Sequence, residues 1–300
     1  MNKDLKVDLH VHCALKRKET GRVSPRNPLD CYVADDKELR AHLELQGIGK
    51  AVLMSSGEGK IVKKGFGTNE ECAAIVQKQP DFFAWMCNLD PVDPLTVYER
   101  MLRLKEQGAI GVGELSVNEW MDSPFLTEVF ASAEKLDLPV TIHMSPEPGY
   151  EYGVCDHAGL PLLEQTLKQF PKLKILGHSQ LFWLEISSDC PKEGNQNRTA
   201  MGRGPIQPGG RLEQLFRNYP NLYGDLSGYS GSCAMLRDEA YGLKFMEEFS
   251  DRLFFATDTV NKQQTFPFGV YIDKAYMEGR LREVTYKNIC YQNAKRIFNM

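Results

Sequence analysis

The segment Val7-Asp8-Leu9-His10-Val11-His12 places two imidazoles two residues apart in a run that reads as a β-strand. Successive strand side chains point to opposite faces, so Asp8, His10 and His12 share one face and Val7, Leu9 and Val11 the other. Two imidazoles that close are a ready pair of ligands for Zn²⁺ or a similar ion. Alone, such a pair is equally explained as chance histidines in a strand. Glu114 in G-V-G-E-L, His143 in P-V-T-I-H-M, His178 in I-L-G-H-S and Asp258 in F-F-A-T-D-T shift the balance, because each closes an otherwise apolar run. An ionisable group in a core is costly unless it is paired or bound to a metal. Four of the six histidines fall at such strand ends. Three protein ligands and an open position bring the pKa of bound water down to ~7, making a nucleophile at neutral pH. A carboxylate beside that water can take its proton. The same electrophile can instead favour decarboxylation, so the ligand set alone does not fix the reaction.

These residues need elements that converge. Apolar runs predict strands over 7–12, 50–55, 82–88, 110–115, 139–144, 173–178, 222–226 and 253–258. Helical patterns lie between them at 36–46, 69–78, 94–106, 125–136, 160–170, 211–219 and 237–249, and then at 270–278 and 283–298. Gln107-Gly108, after Arg103, Lys105 and Glu106, reads as a glycine-capped helix end. Eight strands alternating with helices predict an α/β fold, a single (β/α)8 TIM barrel. An open doubly wound sheet would usually carry a glycine fingerprint after its first strand, and none is present. Two long connections, 13–35 and 179–210, follow strand C-terminal ends, the active-site face of such barrels.

The 300-residue chain suits one barrel domain over 1–300. A net charge of -4 and the lack of a basic-aromatic strip argue against nucleic acid, and no apolar run is long enough to span a bilayer. The start reaches Asp8 and His10 too soon for a cleaved leader, so a cytoplasmic location is expected. The eight cysteines form no C-x-x-C pair and read as reduced, mostly buried thiols, with Cys13 notable for following His12.

The ordered set H-x-H, Glu114, His143, His178 and Asp258 resembles the amidohydrolase superfamily of metal-dependent barrels. The phrases N-Y-P-N-L-Y-G-D-L-S-G, D-R-L-F-F-A-T-D and N-A-K-R-I-F are similar to its amidohydrolase-related branch of lactonases and decarboxylases. The resemblance implies that His10, His12 and Asp258 bind a divalent metal, most simply Zn²⁺ as one or two ions, with His143 a further ligand. It implies that Asp258 also accepts a proton, and that His178 is a catalytic acid, an electrostatic stabiliser or a second-metal ligand. Decarboxylase-type members take no ligand from strand four, whereas Glu114 sits where the metal-dependent DNase branch has a metal-binding Glu. The lysine of other binuclear members is missing there. Glu114 could bridge two ions, bind one, or only hydrogen-bond a ligand, and ligation is the expectation.

Substrate contacts are expected from Arg203, Arg237, Trp183 and Tyr229, with Phe182 as a further wall and Asp225 orienting a ligand or substrate. Guanidinium groups suit a carboxylate or phosphate. Lys16, Arg17, Lys18, Arg22, Arg26 and Arg198 sit on the long loops, although most such charges are solvated. His42 reads as exposed on its helix, and His157 as a loop residue without a site role. The leading expectation is hydrolysis of an ester, lactone or amide in a small anionic molecule. Non-oxidative decarboxylation of an unsaturated or aromatic acid is the alternative, and a metal-dependent phosphoesterase or nuclease comes third. The expected partner is a small molecule, with neither nucleic acid nor membrane, and a homodimer is an open option.

Overall fold

The protein, seen in a computed structural model that describes residues 6–20, 32–59 and 65–300, is built on eight parallel strands. We label them β1 (Lys6–Val11), β2 (Ile48–Met54), β3 (Phe83–Met86), β4 (Val112–Leu115), β5 (Val140–Ser145), β6 (Ile175–His178), β7 (Leu222–Asp225) and β8 (Leu253–Phe254). β1-β2-β3 form one sheet and β8-β7-β6-β5-β4 the other. Isolated parallel bridges join the two sheets at both seams, Cys87 to Val112 between β3 and β4, and Val11 to Thr259 between β1 and the segment after β8. Each strand thus neighbours the next in sequence, the α/β TIM-barrel arrangement. The strands are buried on both faces, as parallel strands covered by helices must be.

The covering helices are α1 (Asp36–Leu45), α2 (Asn69–Lys78), α3 (Val97–Glu106), α4 (Pro124–Lys135) and α5 (Pro161–Gln169). After β6 come α6 (Gln180–Leu184), α7 (Asn195–Arg198) and α8 (Arg211–Asn218). α9 (Gly228–Leu236) and α10 (Glu239–Glu248) follow β7, and α11 (Pro267–Met277), α12 (Glu283–Lys287) and α13 (Asn293–Phe298) follow β8. Local chemistry sets their starts. Asp35 caps α1 through the N–H groups of Lys37 and Glu38, Thr68 and Glu71 form a capping box on α2, and Ser123 caps α4 ahead of Pro124. α3 ends at Gly108, whose φ of 97° suits glycine.

Three differences from the sequence reading have physical causes. β8 leaves its ladder at Phe254 because the Phe255 N–H goes to the Ile289 carbonyl and the Thr257 N–H to the Asp8 carboxylate. The expected helix from 237 starts at Glu239, capped by Asp238, and a separate helix, α9, precedes it. α9 is written in small residues, G-Y-S-G-S-C-A-M-L, which read as a turn. The last helix is interrupted by a π-helical turn over Asn288–Gln292. No helix among the described residues is long and apolar enough to cross a membrane.

Candidate metal centre

Strand order and pleat bring the ionisable residues to one end of the barrel. His10 Nδ1 lies 2.7 Å from Asp225 Oδ2, and His12 Nδ1 lies 3.3 Å from the Met54 carbonyl. Both Nδ1–H groups are thereby held by acceptors, which leaves the two Nε2 atoms facing each other at 3.1 Å. In their neutral forms the two imidazoles would aim their Nε2 lone pairs at the same point, the arrangement that a bound cation requires. Asp258 Oδ1 stands 3.3 Å from His12 Nε2 and 3.6 Å from His10 Nε2. Its backbone has φ 62°, a conformation that non-glycine residues adopt chiefly under constraint, and its N–H is held by the His10 carbonyl at 2.7 Å.

The second half of the cluster is centred on Glu114. Its Oε1 lies 2.6 Å from His143 Nδ1 and 3.5 Å from His178 Nε2, and its Oε2 lies 3.8 Å from His12 Nε2. β5 and β6 pair with His143 opposite His178, so sheet register alone sets those rings side by side. Ser227 Oγ contacts His178 Nδ1 at 2.8 Å and turns its Nε2 towards Glu114. Donor atoms of His10, His12 and Glu114 form one potential ion-binding group, and those of Glu114, His143 and His178 another. A third group, His10, His178 and Asp225, overlaps the hydrogen bond from His10 Nδ1 to Asp225 and reads as support beneath the ligands.

The electrostatics fit a bound cation. Burial opposes charge on His10, yet Asp225, with Asp258 and Glu114 adding, pushes its pKa up to about 10, so the carboxylates favour a positive charge there, which a metal would supply in place of the proton. Burial, reinforced by the charge on His10, pushes His178 down to about 4. Burial likewise opposes ionisation of Glu114, but His143 followed by His10 and His178 holds its carboxyl well below the usual range. Asp225 and Asp258 are also lowered, burial being outweighed by the histidines. Three ionised carboxylates around imidazole nitrogen donors are suited to a divalent metal.

Beside the ligands lies a small hollow lined by His12, Ser55, Ser56, Phe66, Glu114, Ser116 and Tyr152. Phe66 stacks on His12 with ring centres 4.2 Å apart, and Tyr152 lies over His143 at 4.3 Å. The sequence reading missed Phe66, Tyr152 and Ser227. The first two sit in glycine-flanked loop phrases, G-F-G and G-Y-E-Y-G, after β2 and β5.

The expected substrate contacts scatter. Trp183 is a core residue whose Nε1 donates to the Asp225 carbonyl at 2.9 Å, and Phe182 packs against it in the core. Trp183 and Arg237 line a separate hollow. Arg203 is exposed and its carbonyl accepts from Arg237. Tyr229 is 42% exposed and meets Phe266 edge to face. Arg198 is spent on the Pro146 and Asp156 carbonyls. Arg17 pairs with Glu19 and Lys18 with Glu71, Lys16 is exposed, and Arg22 and Arg26 lie outside the described residues. Asp8 shares the inward face but serves Thr257 rather than the cluster. His42 is half-buried against the Gln264 carbonyl, not exposed, and His157 stacks on Trp120. Cys13 is buried and its thiol is raised by burial, which makes it unreactive.

Residues 7–300 match the family described as Amidohydrolase. No curated protein matches the sequence. Among solved structures, an uncharacterised TIM-barrel protein from Bordetella bronchiseptica is 17% identical, with TM-score 0.66 and 98% of each chain covered. A 5-carboxyvanillate decarboxylase from Novosphingobium aromaticivorans, complexed with manganese and a nitrobenzoic acid, is 17% identical with TM-score 0.63, covering 99% of this chain and 96% of that one. A probable 2-pyrone-4,6-dicarboxylic acid hydrolase from Acinetobacter baumannii is 16% identical with TM-score 0.58, covering 98% and 99%. At these identities the likeness shows the fold alone. The family match over nearly the whole length is independent of it, and with a His/Glu/Asp cluster suited to a divalent metal it gives the assignment: this chain belongs to the amidohydrolase family of enzymes.

Proposed function

We propose that this enzyme is a metal-dependent hydrolase of an ester, lactone or amide bond in a small anionic molecule. The observation that carries the reading is Glu114, which offers one carboxylate oxygen towards His12 and the other towards His143 and His178. That supports a two-ion centre, in which His10, His12 and Asp258 would hold one ion, His143 and His178 the other, and Glu114 would serve both. Imidazole-rich donors favour zinc. Bound there, the metal would supply Lewis acidity and lower the pKa of water towards neutrality. Asp258 keeps its carboxylate ionised on a partly exposed side chain beside His10 and His12, where it could accept a proton from an attacking water. Asp225 fixes the His10 tautomer, and Ser227 orients His178. Were a single ion bound, His178, oriented by Ser227, would be available to donate to the substrate carbonyl rather than to ligate.

Non-oxidative decarboxylation of an aromatic acid is the second reading, favoured by the flat walls Phe66 and Tyr152. A panel of lactones, amides and aromatic acids, run with and without chelator, separates the two. The expected result is turnover that stops on chelation, returns with zinc, and releases no carbon dioxide. Carbon dioxide release in step with turnover would establish the second reading, and turnover indifferent to chelation would sink both. Metal analysis should give two ions per chain, falling to one in Glu114→Gln.

A further inference from the structure

Tyr152 reaches His143 from a loop that two other loops hold. This loop, 146–156, joins β5 to α5, and the Tyr152 ring lies 4.3 Å from that of His143. Gly153 follows with φ 124°, and a Cβ there would come within 3.0 Å of His143 Cδ2 and of the His143 carbonyl, so bare backbone packs on the edge of the imidazole. Left to itself, a surface loop of this kind is mobile. Here one guanidinium holds both of its feet. Arg198, buried at the end of α7 on the long connection after β6, donates through Nη1 to the Pro146 carbonyl at 3.4 Å and through Nη2 to the Asp156 carbonyl at 2.9 Å. The Asp156 carboxylate in turn caps α5 at the N–H groups of Leu162 and Leu163, at 3.1 and 2.8 Å.

The middle of the loop is held from the other side, by the connection after β4. Asn118 Oδ1 accepts from the Gly149 N–H at 2.6 Å, and its Nδ2 donates to the Gly153 carbonyl at 3.1 Å. The Gly153 N–H goes to the Ser116 carbonyl at 3.0 Å and the Cys155 N–H to the Glu119 carbonyl at 2.7 Å. β4 and β6 flank β5, so the two holds come from opposite neighbours. We propose that Arg198 and Asn118 are positioning residues, which brace this loop so that Tyr152 keeps the His143 imidazole in the orientation facing Glu114. A planar fork that reaches two carbonyls suits the role, and a lysine ammonium, a single point charge, could not hold both. That the held ring serves a metal rests on the two-ion reading above. An imidazole already fixed loses less freedom on binding an ion, so the brace raises metal affinity without touching the metal.

The test is a set of full-length variants: Arg198→Lys, Asn118→Ala, Tyr152→Leu, and each of the first two combined with Tyr152→Leu. Two quantities are measured, the NMR shift of the His143 ring protons in the metal-free chain and the affinity for zinc by calorimetry. An aromatic ring stacked on His143 moves those protons upfield, so Tyr152→Leu should abolish the displacement, and Arg198→Lys and Asn118→Ala should each reduce it. Zinc binding should weaken roughly 3- to 10-fold in each single variant, the scale of one lost aromatic contact, with no further loss in the double variants. The two bracing residues sit on separate loops, so either variant carries the test if the other does not fold. His143 protons that stay at the wild-type shift in Arg198→Lys and Asn118→Ala overturn the proposal. So does a loss of zinc affinity of equal size with and without Tyr152, the mark of a general structural role. Shifts that move as expected in a chain that binds no zinc instead overturn the reading of a zinc centre and leave the brace standing.

Discussion

Asp225 holds its carboxylate against His10 Nδ1, fully buried, with its other oxygen on the Ser227 N–H. Replacing it by Asn turns an obligatory acceptor into a group that can present an N–H to the imidazole. His10 would then move its proton to Nε2, the atom needed for metal. Asp225→Asn should therefore weaken metal binding by roughly 10- to 100-fold, the usual cost of losing such a partner. Metal-titrated activity checks this, and an unchanged midpoint would refute the role. At this scale the sequence was partly legible. His10 and His12 announce themselves because a strand's two-residue period makes their shared face computable, and Glu114, His143, His178 and Asp258 stand out as charges ending apolar runs. Phe66 and Tyr152 have no such period, since they sit on loops whose path only the folded chain defines. Arg237 stands out as a basic residue after strand seven, but its unpartnered Nη2 is a fact of packing that no spacing encodes.

The seam between β1 and β8 depends on a side chain. Asp8 accepts from the Thr257 N–H and the His10 N–H through Oδ1, and contacts Thr257 Oγ1 through Oδ2. Burial raises its pKa from 3.8 to about 7, opposed by these hydrogen bonds. The folded state therefore binds this proton more tightly than the unfolded state does. The resulting stability is full below pH 3.8 and is lost as pH rises through about 7. Asp8→Asn keeps a neutral group of the same shape and should flatten the pH dependence of Tm across that window. A variant whose Tm still falls as steeply as that of the wild type would rule Asp8 out as the cause. The strands were legible as elements because each is a short apolar run. The early end of the β8 ladder was not, because it follows from a carboxylate that lies 249 residues away in sequence from Thr257.

For the molecule as a whole, the cluster draws on β1, β4, β5 and β6 and on the segment after β8, so any ion bound there ties the two sheets together. A ligand that binds only the folded state raises stability by mass action, by about 2.7 kcal/mol at 100-fold excess over its Kd. Chelation should lower Tm by several degrees in a manner reversed by added metal, measured by calorimetry. No change in Tm on chelation would mean that the ring is held by packing alone. The barrel itself was readable from eight alternating units, but its weak points were not, because a seam of isolated bridges looks like any other strand pair until the partners are seen.

The π-helical turn near the C-terminus belongs to this account. Its Ile289 carbonyl holds the Phe255 N–H, and Asn293 just beyond it holds the Ser250 and Leu253 carbonyls. For anyone engineering this enzyme, the tail is consequently a fastening rather than a handle. Fusion, trimming or immobilisation there would tug on the strand that delivers Asp258, whereas Gly204 and Gly209 are positions where an added Cβ meets nothing within 4 Å.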